Sequence, residues 1–381
     1  MNRFFPRGCL RAPAFFLFAV LSTLPAVAAA PRLLWRTPLP AEAGIPLGTP
    51  ATDGRRLYAV AGGVRAWDLQ TGEPLWTAPL AENAPRNVAV DEGRVFVAET
   101  VAMAFDAATG RELWRFTPDA NASLGRSTAA DGAFYFGTAS HRLYALHATD
   151  GTPIWSIDLG LEWTYPAVVR GVTVADDTAY AAVDQWRSAK GETSAGWLIA
   201  LDRKTGAVRW RCRHGEDTGV WGASAPPVVA GNLILANDYL GNTLFAVDRL
   251  TGKEIWTFAG DRNRLGFPDP PAVHDGKVYA ASGDTFTYAL DLTTGRQLWK
   301  LQLPAGAFAQ AACGGALFVN DQGLATIDVS EGKLVDRRLD GEEEFLSSGF
   351  AVWENRIYGL GARGVYGWEC PLHLLAGMVS Q

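Results

Sequence analysis

Cysteine is scarce in this chain, with four among 381 residues. Cys9 precedes an apolar stretch, and Cys212, Cys313 and Cys370 lie far apart. The three beyond Cys9 are an odd and sparse set, which excludes a disulfide framework. One bridge is conceivable, but the repeat register separates all three, and free, mostly buried thiols are the expected state. Histidine is equally thin: His141, His147, His214, His274 and His373 show no metal-ligand spacing. Charged residues make up only 19%, the net charge is −6, and the basic residues are scattered, which argues against a nucleic-acid partner. No Gly-x-Ser-x-Gly elbow, Walker loop or Cys-x-x-Cys-His haem site occurs. Asp176-Asp177 reads as a turn former, so neither a catalytic nor a metal residue is assigned. Beyond the first thirty residues, no run is apolar enough to cross a membrane.

Those first residues read as an export signal. Arg3, Arg7 and Arg11 precede the apolar stretch Ala14–Leu24, and Ala26-Val27-Ala28-Ala29-Ala30 leads to Pro31. Cleavage is expected after Ala28 or Ala29, the alternative being a retained anchor. Residues 1–28 are therefore taken as the signal peptide and 29–381 as one domain. Cys9 lies ahead of the apolar core, so no lipobox is available. A periplasmic or secreted protein without a lipid anchor is expected.

Glycine, tryptophan and a repeat dominate the rest. Ala66-Trp67-Asp68-Leu69-Gln70-Thr71-Gly72-Glu73-Pro74-Leu75-Trp76 sets a pattern of alanine, aspartate, Thr-Gly and tryptophan. It returns at Ala104–Trp114, Ala200–Trp210, Ala246–Trp256 and Ala289–Trp299, and at Ala145–Trp155 with His147 for the aspartate. A worn copy, Asp328–Gly332, has Asp336 where the tryptophan belongs. The glycines stand 38, 41, 55, 46, 43 and 37 residues apart, the period of a propeller blade. Alternating residues before each copy predict a strand. The aspartate can accept turn amides, and the glycine takes positive φ. Two strands upstream, as around the turn His274–Lys277, complete four per repeat. After the seventh copy three strands remain without a fourth. Leu33-Leu34-Trp35-Arg36-Thr37-Pro38-Leu39 echoes Pro74–Leu80 and supplies it. The sequence thus predicts an all-β, eight-bladed propeller of four-stranded antiparallel blades, closed by its N-terminal strand.

This pattern resembles the tryptophan-docking repeat of pyrroloquinoline-quinone (PQQ) proteins over nearly the whole mature chain. The resemblance implies a fold and leaves function open. It spans large PQQ-dependent alcohol dehydrogenases and a lipoprotein propeller of the outer-membrane β-barrel assembly machinery, which is of similar size. The dehydrogenases' vicinal cysteine pair is absent here, as is the assembly lipoprotein's lipobox.

Recognition is expected on the face carrying the connections between blades and between second and third strands, which vary in length. There the fourth repeat is enlarged by Asp184–Trp197. Trp163, Tyr165, Trp186, Arg187 and Trp221 could cluster beside the channel mouth as a partner-binding surface. Arg86, Arg126 and Arg264 precede inner strands on the same face and could attract an anionic group. The alternatives are rings packed onto the scaffold and solvated arginines. The expected function is a non-catalytic, monomeric scaffold for a protein or envelope component, with no cofactor. The rival is a small quinoprotein dehydrogenase holding PQQ and calcium in the funnel.

Overall fold

The computed structural model describes residues 30–44, 46, 48–80, 87–119, 125–138, 140, 142–159, 167–185, 195–214, 225–238, 242–261, 266–304, 308–321, 323–338, 349–361 and 364–371. Residues 1–28, expected to be a signal peptide, lie outside them. Their strands form eight separate four-stranded antiparallel sheets, and chain order runs through seven of them in turn. Blade one comprises Ala51–Thr52, Arg56–Val60, Val64–Asp68 and Pro74–Ala78. The first strands of neighbouring blades approach one another, so they line the axis. The half-exposed fourth strands form the outer rim. The eightfold propeller expected from the repeats is what the chain adopts.

Closure uses both ends. Blade eight contains Ala351–Trp353, Arg356–Gly361, Gly364–Glu369 and, as its outer strand, Arg32–Pro38. Arg32 pairs with Glu369 and Pro38 with Gly364, and an Arg32–Glu369 ion pair at 2.6 Å pins the start of the register.

Each part of the repeat has its expected task. In blade one the Asp68 carboxylate accepts the N–H groups of Gln70 (3.0 Å) and Thr71 (2.8 Å), which hold its carboxyl below the ordinary range despite some desolvation. The seven Thr-Gly-position glycines have φ of 67–74°, a region that penalises any Cβ. They are also the floor on which the previous blade's tryptophan lies. A Cβ on any of them would come within 2.4–2.9 Å of that indole. Each indole Nε1 then donates to a carbonyl three residues beyond the next blade's third-strand docking position, at 2.8–3.2 Å: Trp35 to Leu69, Trp76 to Ala107, Trp114 to Ala148, Trp155 to Arg203, Trp210 to Arg249, Trp256 to Leu292 and Trp299 to Val329. Within its own blade the tryptophan faces a small residue, as Ala66 faces Trp76 and Gly367 lies beside Trp35. Burial of seven such rings supplies much of the adhesion between blades.

The cysteines depart from expectation. Cys313 and Cys370 form a disulfide with Cα atoms 5.8 Å apart, and among the described cysteines Cys212 stays free. Repeat register separates them along the chain. However, the end of an inner strand in one blade lies against the end of the third strand in the next, and that places these two side by side.

Candidate functional site

The short turns between first and second strands share a face with the Thr-Gly turns, and tryptophan docking ties that face together. The opposite face, where inner strands begin, is held by individual polar links from blade to blade. Asn87 Nδ2 donates to Ser127 O (3.2 Å), Arg126 N to Arg170 O (3.0 Å), Thr173 Oγ1 to Pro227 O (2.6 Å) and Gln310 Nε2 to Pro270 O (2.5 Å). These cross the seams between blades two and three, three and four, four and five, and six and seven.

Arg126 is the one sequence-predicted site residue among those described. Its guanidinium forms an ion pair with Asp269. Arg126 enters blade three and Asp269 precedes blade six, so the pair links non-neighbouring blades across the channel mouth. Asp269 is held further by the Ala309 N–H, which donates to its Oδ2 at 3.0 Å. Asn237 Nδ2 donates to the carbonyls of Phe267 (2.5 Å) and Asp269 (3.1 Å), fixing the segment that carries it. Burial pushes the Asp269 carboxyl up, against the opposing pull of Arg126 and the Ala309 amide.

Other carboxylates on this face are likewise engaged. Asp184 meets Arg170 at 2.6 Å, and Asp321 meets Arg337 at 2.7 Å. Asp284 accepts from Tyr288 OH (2.8 Å), the Phe286 N–H (2.9 Å) and Asn242 Nδ2 (3.3 Å). Asp261 pairs with Lys300. Groups spent in this way brace connections. Among the described residues no group of three His, Cys, Asp or Glu could hold a metal ion.

Arg86, Trp163, Tyr165, Trp186, Arg187, Trp221 and Arg264 lie outside the described residues. Sequence reasoning missed Asp269, Asn237 and Gln310. A signal was available for the first in Phe267-Pro268-Asp269-Pro270-Pro271. A carboxylate set among prolines, which lack backbone donors, just before an inner strand is a rigid and unusual placement.

The pair makes a firm expectation. Arg126→Ala should cost roughly 3 kcal/mol at neutral pH, because it leaves a buried carboxylate unmatched. Removing Asp269 as well should restore much of that loss. A carboxyl whose folded pKa is raised favours the folded state below its unfolded pKa, and that benefit fades as pH rises through the folded value. The Arg126→Ala deficit should therefore shrink on acidification toward the ordinary carboxylate range. Denaturant titrations at several pH values test both points, and a deficit that does not change with pH would contradict them.

Comparison with known proteins follows the same lines. The sequence model of a family described as outer membrane protein assembly factor BamB matches residues 22–102 and 98–335. An outer membrane protein assembly factor BamB from Yersinia pestis is 30% identical over 231 residues, covering 55% of this chain and 54% of that protein. A tetrathionate hydrolase from Acidithiobacillus ferrooxidans is 24% identical over 270 residues, covering 65% of this chain and 51% of that protein. The matched stretches thus span about half the length of these two curated relatives. The crystal structure of BamB from Moraxella catarrhalis superposes with a TM-score of 0.71 at 19% identity, covering 90% of this chain and 98% of that one. That likeness is one of fold. Among the described residues no helix is long and apolar enough to cross a membrane.

Proposed function

The chain belongs to the family described as outer membrane protein assembly factor BamB, and from that premise we propose that it is an exported, non-catalytic propeller that holds a protein or envelope component on its variable face. The observation that carries this reading is the contrast between the two faces. One repeats a single docking device seven times. The other uses a different polar link at each of the four seams described above, so these connections have their own chemistry to offer a partner. The Cys313–Cys370 bond supports an oxidising compartment, such as the periplasm or the exterior. The partner surface we propose is the blade-four side of the mouth, around Trp163, Tyr165, Trp186, Arg187 and Trp221, with Arg86, Arg126 and Arg264 on the rim.

Two observations among the described residues support a reading without quinone or calcium. The Arg126–Asp269 pair crosses the mouth through which a funnel ligand would enter, and the neighbouring carboxylates are committed to Arg170, Arg337 and Tyr288. The Cys313–Cys370 disulfide joins residues 57 apart on the opposite face, so it is not a vicinal pair beneath a cofactor. We therefore propose a protein without a cofactor.

A paired experiment tests this. Purified protein, cross-linked within an envelope extract, should capture an envelope protein, and hydrogen exchange should slow on the variable face when that protein is added back. Titration with PQQ and calcium at micromolar concentration should give no binding and no dye-linked alcohol oxidation. Stoichiometric, calcium-dependent PQQ binding would overturn the scaffold reading.

A further inference from the structure

The ring has eight seams between blades, and seven carry a docked tryptophan. At the seam between blades seven and eight, Asp336 stands opposite Thr326 where the other blades have tryptophan opposite alanine or glycine. The reason lies in the closure. A docking indole needs the Thr-Gly glycine of the next blade as its floor. Blade eight has no such turn, because its outer strand is Arg32–Pro38 rather than a continuation of the third strand. A tryptophan at position 336 would lack the glycine floor that the other seven indoles have.

The position that accepts the indole N–H in the other blades is the third residue past the docking site, as Leu69 is to Ala66. In blade eight it is Cys370, which follows Glu369 as Leu69 follows Asp68. Cys370 is bonded to Cys313, the last residue of blade seven's inner strand Phe308–Cys313. Both are buried in one cluster with Trp368 and Tyr366, whose rings stack at 5.4 Å. Smaller links flank the bond. Gly315 N donates to Pro371 O (3.3 Å), and Arg338, paired with Asp336 at 2.9 Å, donates to Pro31 O at 2.7 Å.

We propose that the Cys313–Cys370 disulfide takes the place of the missing tryptophan dock, and that it makes closure of the ring conditional on oxidation. In forming it, the two thiols give up two protons and two electrons to a disulfide donor, which leaves as a dithiol. A dithiol reductant reverses the step. Under reducing conditions this seam opens before any other, because it alone has no indole to hold it.

The test uses the full chain. Peptide mapping without reductant should recover the Cys313 and Cys370 peptides cross-linked. Reduction by dithiothreitol should lower the melting midpoint by roughly 5 °C. It should also speed amide exchange at least tenfold in Arg356–Gly361, Gly364–Glu369 and Leu334–Arg338, with the strands of blade three unchanged. Cys313→Ser with Cys370→Ser should behave as the reduced protein does, and reduction of the native chain supplies the same readouts if that variant does not fold. Free thiols at both positions in the unreduced protein would overturn the proposal. So would an unchanged midpoint, or faster exchange spread evenly over all blades.

Discussion

Deleting Arg32–Pro38 should abolish cooperative melting near the native midpoint. The strand supplies blade eight with its outer edge, and its loss leaves the Gly364–Glu369 strand paired on its inner side alone, with an open edge prone to aggregate. Trp35 goes with it. That ring is buried, its Nε1 donates to Leu69 O at 3.2 Å, and it covers Gly72, so the seam to blade one loses its dock as well. Thr37 Oγ1, which donates to Gly72 O at 2.5 Å, is lost too. Calorimetry of the truncated chain is the direct check. A synthetic peptide spanning residues 31–39, added in excess, should raise its midpoint by mass action. A truncated chain that melts cooperatively at the full-length temperature would contradict closure by this strand.

Trp256→Ala should cost roughly 3–5 kcal/mol, the range for emptying a buried aromatic site. Trp256 is 8% exposed, packs between blades five and six, and rests on Gly295. Trp256→Phe separates its two contributions. A smaller ring keeps most of the packing but leaves Leu292 O without its donor, a loss of about 1 kcal/mol from the hydrogen bond on top of the reduced contact. Gly295→Ala attacks the same joint from the other side, since its Cβ would lie 2.5 Å from the indole. Urea titrations of the three variants measure these terms. Losses under 1 kcal/mol for Trp256→Ala would mean that blade adhesion resides elsewhere.

The repeat made the fold legible because each of its residues has a local or adjacent-blade task that recurs. Asp68 fastens its own turn, Gly72 receives an indole, Trp76 supplies one, and the echo between Leu33–Leu39 and Pro74–Leu80 identified the closing strand. The disulfide was illegible for a related reason. Aligning repeats compares equivalent positions, whereas Cys313 and Cys370 meet as non-equivalent positions in consecutive blades. The worn seventh copy carried a hint. Its lost tryptophan marks the seam where another device had to act. The mouth was harder still. Arg126 could be placed on the right face by strand counting, but nothing periodic points to Asp269, and their pairing depends on two loops from blades three and six converging over the axis. Such contacts follow from the assembled ring and leave no repeating trace.

The closing strand also sets a schedule. Arg32 and Glu369 are 337 residues apart, and a ribosome makes them in that order. At about 5–20 residues per second, the first strand is synthesised roughly 20–70 s before its partner exists. Seven blades can form from local hairpins in that interval, while Leu33, Leu34 and Trp35 wait without a sheet to join. Long-range pairing of this kind is slow, and the unpaired strand is the species most open to mispairing with a second nascent chain. The ring therefore gains its final stability in one late event, and anything that shelters a short apolar strand for about a minute would raise its yield.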